Sequence, residues 1–151
     1  MNNDKRQAQP ANCTRTTNDK LPREASNLQS QRLLVIVGPT AVGKSAIAIE
    51  LAERLDGEII SADSRYLYRG LDVGTAKPSL ADRARAPHHL IDVTDPDKPW
   101  SLSEYRAAAD ELINAINGRR RLPLLVGGTG QYIRAVLEGW TIPPRAADPA
   151  L

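Results

Sequence analysis

Gly38-Pro39-Thr40-Ala41-Val42-Gly43-Lys44-Ser45 fits the pattern G-x-x-x-x-G-K-[ST] without a mismatch. Residues of these types at this spacing bind phosphate. Gly38 and Gly43 permit backbone angles that aim successive N–H groups inward, and Thr40, Ala41 and Val42 add theirs to the same anion nest. A helix starting behind the loop would add its positive N-terminal end. Lys44 brings a compact cation to the outer phosphate oxygens, and Ser45 carries the hydroxyl that ligates Mg2+ in this motif. The alternative is a chance glycine-rich turn. An apolar run at 33–37 before the loop and a helix-like segment at 46–55 after it argue against that. The motif names the group that is bound, and leaves open the molecule that carries it.

Four further constellations could do chemistry. Asp63 follows an apolar stretch and could be a general base, a partner of Mg2+-bound water, or a cap for the next turn aided by Ser64. Gly127-Gly128-Thr129-Gly130 is most simply a tight strand-to-helix turn, although its glycines also suit close approach of a ligand and Thr129 offers a hydroxyl. His88 and His89 have no Cys or carboxylate at zinc spacing, so packing and hydrogen bonding at a strand start is the simpler reading. Arg119-Arg120-Arg121 sits where a helix should end and reads as a solvated turn, with RNA contact as a second option. Trp100 and Trp140 read as packing residues.

The elements that must position these residues follow from periodicity. Residues 33–37 read as a strand buried on both faces. Ala48, Leu51, Ala52 and Leu55 form one core-facing helical stripe, ended by Gly57. Residues 58–62 read as a second strand that ends at Asp63. The stretch 63–87 is polar, charged and broken by Gly70 and Gly74, a long loop of the functional or mobile kind. Residues 89–93 suggest a short third strand. Ser101 and Glu104 form a capping box, and the helix behind it carries Tyr105, Ala108, Ala109, Leu112, Ile113 and Ile116 before Gly118 closes it. Residues 122–126 read as a buried strand with Pro123 near its start, and a helix runs from the glycine turn to about Leu137. Alternating strands and helices predict an α/β fold, a parallel sheet with helices on both faces. Ligands of such sheets bind beyond the strands' carboxyl ends, so 38–45, 63–64 and 127–130 should converge in one crevice.

A chain of 151 residues suffices for one domain with a core. Residues 1–32 hold six basic and three acidic side chains and few apolar ones, and read as a disordered polar tail. That leaves fourteen basic and fifteen acidic residues from 33 onward, without a global basic signature for nucleic acid. One cysteine, Cys13, excludes an internal disulfide, and the absence of a secretory signal or an apolar run long enough for a membrane points to the cytoplasm.

The blocks at 38–45, Glu58-Ile59-Ile60-Ser61-Ala62-Asp63-Ser64, Tyr68-Arg69-Gly70-Leu71-Asp72-Val73-Gly74-Thr75-Ala76-Lys77-Pro78, Pro87-His88-His89-Leu90-Ile91-Asp92 and Leu122-Pro123-Leu124-Leu125-Val126-Gly127-Gly128-Thr129-Gly130 resemble tRNA dimethylallyltransferases. They occur in the family's order and spacing over nearly all of 33–140. The resemblance implies a P-loop nucleoside-triphosphate-hydrolase-like core, here 33–142, with 143–151 as the start of a missing C-terminal region. It also implies transfer of a dimethylallyl group from its diphosphate to N6 of the adenine 3′ of the anticodon, with Mg2+ as cofactor. Asp63 would be the general base, Lys44 and Thr129 would serve the reacting groups, and Asp63, Ser64, Arg65, Tyr66 and Thr129 would contact the tRNA. Arg69 and Lys77 would face the RNA with Arg65. Many relatives carry Gln where this chain has Tyr66.

Relatives run to about twice this length, so the chain reads as an N-terminal fragment or truncated product, monomeric, with weak diphosphate binding and poor transfer by itself. Two other readings share the loop. A small-molecule kinase would use Asp63 on an acceptor hydroxyl and need lid arginines, for which Arg83 and Arg85 are candidates. A nucleotide-binding remnant would lack catalysis.

Overall fold

The computed structural model describes residues 31–39 and 42–141. The elements are β1 (Leu34–Val37), α1 (Lys44–Leu55), β2 (Gly57–Ala62), α2 (Leu80–Arg85), β3 (His88–His89), α3 (Leu102–Gly118), β4 (Leu122–Gly127) and α4 (Gly130–Leu137). The four described strands form one parallel sheet in the order β1-β4-β2-β3. β4 inserts between β1 and β2, which brings the ends of three strands, and the three candidate segments that follow them, side by side.

Each face of the sheet is covered. Ala48, Ile49 and Ala52 of α1 pack on Ile59, Leu124 and Val126. Tyr105, Ala109, Ile113 and Ile116 of α3 and Ile133 of α4 pack on Ile60, Ala62 and Leu125. Neighbouring strand residues alternate between these clusters, as the pleat requires. Each fully buried aliphatic side chain contributes about 1.5–3 kcal/mol. Tyr105 is completely buried. Its ring stacks on Tyr132 at 3.8 Å between centroids, and its hydroxyl donates to the Ser61 carbonyl at 2.9 Å. Burial pushes the phenol well above its ordinary range.

Several expectations need correction. β1 is only half-buried and lies at the edge of the described sheet. The core stripe of α1 uses Ile49, while Leu55 is exposed. That helix ends on Asp56 in the left-handed region (φ 48°), and Gly57 already belongs to β2. Gly57 is required for another reason: a Cβ there would lie 2.9 Å from the Leu122 backbone carbonyl oxygen, besides 2.3 Å from Leu124 Cδ1. α3 does end at Gly118, as expected, and Arg120, with φ 63°, turns the chain afterwards. The capping box of α3 is present, with Glu104 N–H donating to Ser101 Oγ at 3.2 Å and Ser101 N–H to Glu104 Oε2 at 2.7 Å.

The stretch 63–87 contains a helix, α2, started by a second capping box between Ser79 and Asp82. β3 is shorter and earlier than expected because Leu90 (φ 58°) and Asp92 (φ 56°) are left-handed, which no strand tolerates. Arg32 is tied to α3 through two hydrogen bonds with the Asn117 side chain. Residues 1–30, most of the expected polar tail, and 142–151, with the C-terminal stretch from 143, lie outside the described residues, as do Thr40 and Ala41.

Candidate active site

β1, β2 and β4 all point their carboxyl ends at one crevice, as the parallel register demands. From β1 the chain enters the phosphate loop. Gly43 caps α1 with φ 82°, a conformation costly for any side chain, and Lys44 already forms the first turn. Gly38 has no such requirement. It is outside the left-handed region, and a Cβ there would make only ordinary contacts, the nearest at 3.6 Å. Lys44 Nζ donates to the Pro39 carbonyl, so the cation is folded over the loop it serves.

From β2 the chain reaches Asp63. Its Oδ1 accepts from the Arg65 N–H at 3.0 Å and its carbonyl from the Tyr66 N–H at 3.2 Å. Asp63 is therefore a turn cap, and its side chain also lines the crevice. From β4 the chain passes Gly127, where a Cβ would lie 2.1 Å from the Ala62 carbonyl oxygen. The turn that follows is stitched to β2: Thr129 N–H donates to Ala62 O at 3.0 Å, and Thr129 Oγ1 accepts from Ser64 N–H at 3.1 Å.

Two cavities meet here. One, of about 270 Å3, lies on the α1 face of the sheet. Ala48, Ile59, Ile91, Pro78 and Val126 make it largely apolar, and Gly43, Lys44 and Ser45 of the phosphate loop open into it. Its polar groups include Ser61, whose hydroxyl is buried without a partner among the described residues, and His88. Burial holds the His88 imidazole below its usual range and favours its neutral form, with Nδ1–H donated to the Ala86 carbonyl at 2.8 Å. The other cavity, of about 340 Å3, is more polar and is lined by Gly38, Pro39, Ser64, Arg65, Thr75 and Thr129. Asp63, Tyr66, Ala76 and Gly128 line both. The three segments thus converge as expected. Val42 is exposed on the loop.

The segment after Asp63 is built differently from expectation. Lys77 does not face outward: its side chain is 5% exposed and its ammonium pairs with Asp92 at 2.7 Å and Asp72 at 2.9 Å. Arg69 is held by Asp95 at 3.0 Å and by the Val93 carbonyl at 3.2 Å. Of the three, Arg65 lines the polar cavity. Tyr66 donates its hydroxyl to the Ala76 carbonyl, and burial, together with the Asp63 charge, raises its phenol above the ordinary range.

Arg83 and Arg85, the candidate lid arginines, are engaged elsewhere, Arg83 with Asp92 at 2.7 Å and Arg85 with Glu53 at 2.7 and 2.9 Å. Nor is the 119–121 cluster a freely solvated turn. Arg119 and Arg121 reach Glu58, a buried carboxylate at the opposite end of the sheet, at 2.8 and 3.1 Å. His89 completes that group at 2.6 Å. Burial works against the Glu58 charge, but Arg119 and His89 outweigh it and keep the carboxyl below its usual range. Sequence reasoning missed Glu58, Asp92 and Ser61. A charged residue or hydroxyl inside a strand-forming run was the available signal for Glu58 and Ser61.

Residues 31–86 match the isopentenyl transferase family and residues 66–151 the family described as IPP transferase. The chain is 58% identical over 121 residues to a tRNA dimethylallyltransferase of Chloroflexus aurantiacus, covering 80% of this chain and 41% of the relative. It is 60% identical over 117 residues to that of Roseiflexus castenholzii, covering 78% and 38%. The full-length tRNA isopentenylpyrophosphate transferase of Bacillus halodurans superposes with a TM-score of 0.73 at 47% identity, over 79% of this chain and 39% of that one. A eukaryotic dimethylallyltransferase acting on tRNA does so at 0.65 and 33%, over 68% and 26%. The chain spans about two fifths of the length of the curated relatives it matches. The sheet has the P-loop nucleoside-triphosphate-hydrolase-like fold of these neighbours. With a family match over more than half of its residues, the chain belongs to the IPP transferase family.

Proposed function

We propose that this chain is the part of a tRNA dimethylallyltransferase that binds the prenyl diphosphate and receives the target adenine. The observation that carries the reading is the position of Asp63, in the wall shared by an apolar cavity that opens from the phosphate loop and a polar cavity beside it. The diphosphate would lie on the loop under Lys44, with the branched five-carbon chain against Ile59, Val126 and Pro78. The adenine, turned out of the anticodon-loop stack, would enter the polar cavity. Asp63 accepts the N6 proton as the N6–C1 bond forms, and the C1–O electron pair leaves with the diphosphate. Loop N–H groups and Lys44 hold the growing charge of that leaving group. Arg65 and the Ser64–Thr129 pair line the side from which the RNA arrives.

The residues present fit Mg2+. Ser45 and Asp63 share a cavity, and no group of three His, Cys, Asp or Glu side chains forms a cage among the described residues. That suits an ion which keeps several waters and binds mostly to phosphate oxygens. When bound, it supplies positive charge against the diphosphate. No helix of the described residues is long and apolar enough to cross a membrane, and a cytoplasmic, monomeric enzyme goes with this reading. The kinase alternative has less support because both candidate lid arginines are committed to carboxylates.

Carbon-labelled dimethylallyl diphosphate, γ-labelled ATP and tRNA are offered together to the chain and to the chain completed with the remaining residues of the Chloroflexus aurantiacus relative. Carbon label in the anticodon loop is expected from the completed protein and little from the chain alone. Asp63→Asn in the completed protein should lower kcat at least about a hundredfold. Phosphate transfer from ATP, or full activity of Asp63→Asn, would overturn the reading.

A further inference from the structure

Asp92 lines neither cavity, yet it joins Lys77, in the segment that walls them, to Arg83 of α2. Its Oδ1 takes Lys77 Nζ at 2.7 Å and its Oδ2 takes Arg83 at 2.7 Å. Lys77 spends its three ammonium protons within the fold, on Asp92, on Asp72 at 2.9 Å and on the Tyr68 carbonyl at 2.7 Å. Arg83 also donates Nε–H to the Pro78 carbonyl at 3.1 Å. Lys77 lies between Ala76, which lines both cavities, and Pro78, which lines the apolar one. The Asp92 backbone is anchored too, its N–H donating to the Tyr66 carbonyl at 2.9 Å in a left-handed conformation that side chains rarely adopt.

Two carboxylates and two cations balance in this group. Burial disfavours the Asp92 charge, but the bonds from Lys77 and Arg83 outweigh it and hold the carboxyl below its ordinary range. The same partners offset the burial of Lys77 and raise its ammonium. An ion pair built this way gives modest net stability but fixes geometry, because removing one partner strands the other.

We propose that Asp92 is a positioning residue of the candidate active site: by gripping Lys77 and Arg83 it holds residues 74–78 as the common wall of the apolar and polar cavities. The naming of the apolar cavity's occupant rests on the function proposed above; the wall itself does not. Loss of the grip widens the apolar cavity while the phosphate loop, on the other side, keeps its shape.

The test uses the 151-residue chain. Backbone 15N relaxation is measured for Asp92→Asn, Lys77→Met and the parent chain, and Mg2+-supported binding is measured for inorganic pyrophosphate and for dimethylallyl S-thiolodiphosphate, an unreactive alkyl diphosphate. Both variants should lower the order parameters of the Gly74, Thr75 and Ala76 amides, with those of β2 and β4 unchanged. Both should weaken alkyl diphosphate binding about tenfold and leave pyrophosphate binding within twofold, and Asp92→Glu should restore part of the loss. Unchanged order parameters in the wall overturn the proposal, as does equal weakening of both ligands, the mark of a role in general stability. If the parent chain binds the alkyl diphosphate no better than pyrophosphate, the donor assignment fails and the relaxation data alone decide on the wall. If Asp92→Asn does not fold, Lys77→Met, which leaves Asp92 paired with Arg83, carries the same two readouts.

Discussion

Thr129 Oγ1 accepts a 3.1 Å hydrogen bond from the backbone N–H of Ser64, joining the ends of β4 and β2 across 65 residues of sequence. With Thr129 N–H on the Ala62 carbonyl, it forms a two-bond stitch at the floor of the crevice. The hydroxyl accepts in this pair, so its own proton remains available to a ligand in the polar cavity.

Thr129→Val should therefore act twice. It leaves the half-buried Ser64 N–H without its acceptor, a loss of about 1 kcal/mol in urea denaturation. In a completed enzyme it should also lower transfer to tRNA, while Thr129→Ser stays near the parent in both measurements. Equal behaviour of the Val and Ser variants would remove the hydroxyl from the account.

Gly127→Ala should be far more damaging. The new Cβ would meet Ala62 O at 2.1 Å and the Ala62 carbonyl carbon at 2.3 Å, both backbone atoms of a paired central strand. Neither can give way without breaking the ladder, so a loss of at least about 3 kcal/mol is expected. Gly38→Ala, with its nearest contacts at 3.6 Å, should cost less than about 1 kcal/mol. Parallel urea titrations of the two variants measure the difference, and a Gly38→Ala protein as unstable as Gly127→Ala would show that steric room is not what separates them.

These contrasts mark what was legible in the sequence. The phosphate loop, Asp63 and the glycine turn could be placed because each directly follows an apolar run whose register decides where it emerges. The Ser101–Glu104 box announced α3 for the same local reason. α2 carried a similar signal in Ser79 and Asp82, but it buries none of its residues and so shows no apolar stripe. The fates of Lys77, Arg69 and Arg119 were not local. Each is decided by a carboxylate 15, 26 or 61 residues away that only the folded sheet brings near. A cation that reads as a contact for RNA in the sequence becomes part of the scaffold once such a partner arrives. The left-handed Leu90 was equally hidden, since leucine is not among the residues that visit that region readily.

Ser61 offers a prediction with an unusual sign. Its hydroxyl is buried without a partner among the described residues, on the face of β2 that floors the apolar cavity. Ser61→Ala removes that desolvated group and should stabilise the ligand-free protein by about 1 kcal/mol. A bound group or water that uses the hydroxyl would reverse the sign, so the same variant should bind dimethylallyl diphosphate no more weakly than the parent if the chain end is purely apolar. Urea midpoints and donor titrations read the two effects separately.

Burial lowers the His88 pKa from its ordinary value, the Arg83 and His89 charges add to this, and the Ala86 carbonyl and Asp82 oppose it only in part. The unfolded chain therefore binds a proton near pH ~6.5 that the folded chain takes up only at lower pH. Where the unfolded state holds more protons, stability rises with pH. The contribution of His88 is thus fully present above about pH 7 and is lost as the pH falls through the unfolded value toward the folded one. His88→Asn keeps a side-chain N–H for the Ala86 carbonyl but cannot titrate. Between about pH 7 and 5 its unfolding free energy should decline less steeply than the parent's, the two curves converging above pH 7 apart from a constant offset. Identical slopes across that window would mean that His88 is protonated as readily in the folded cavity as in the open chain.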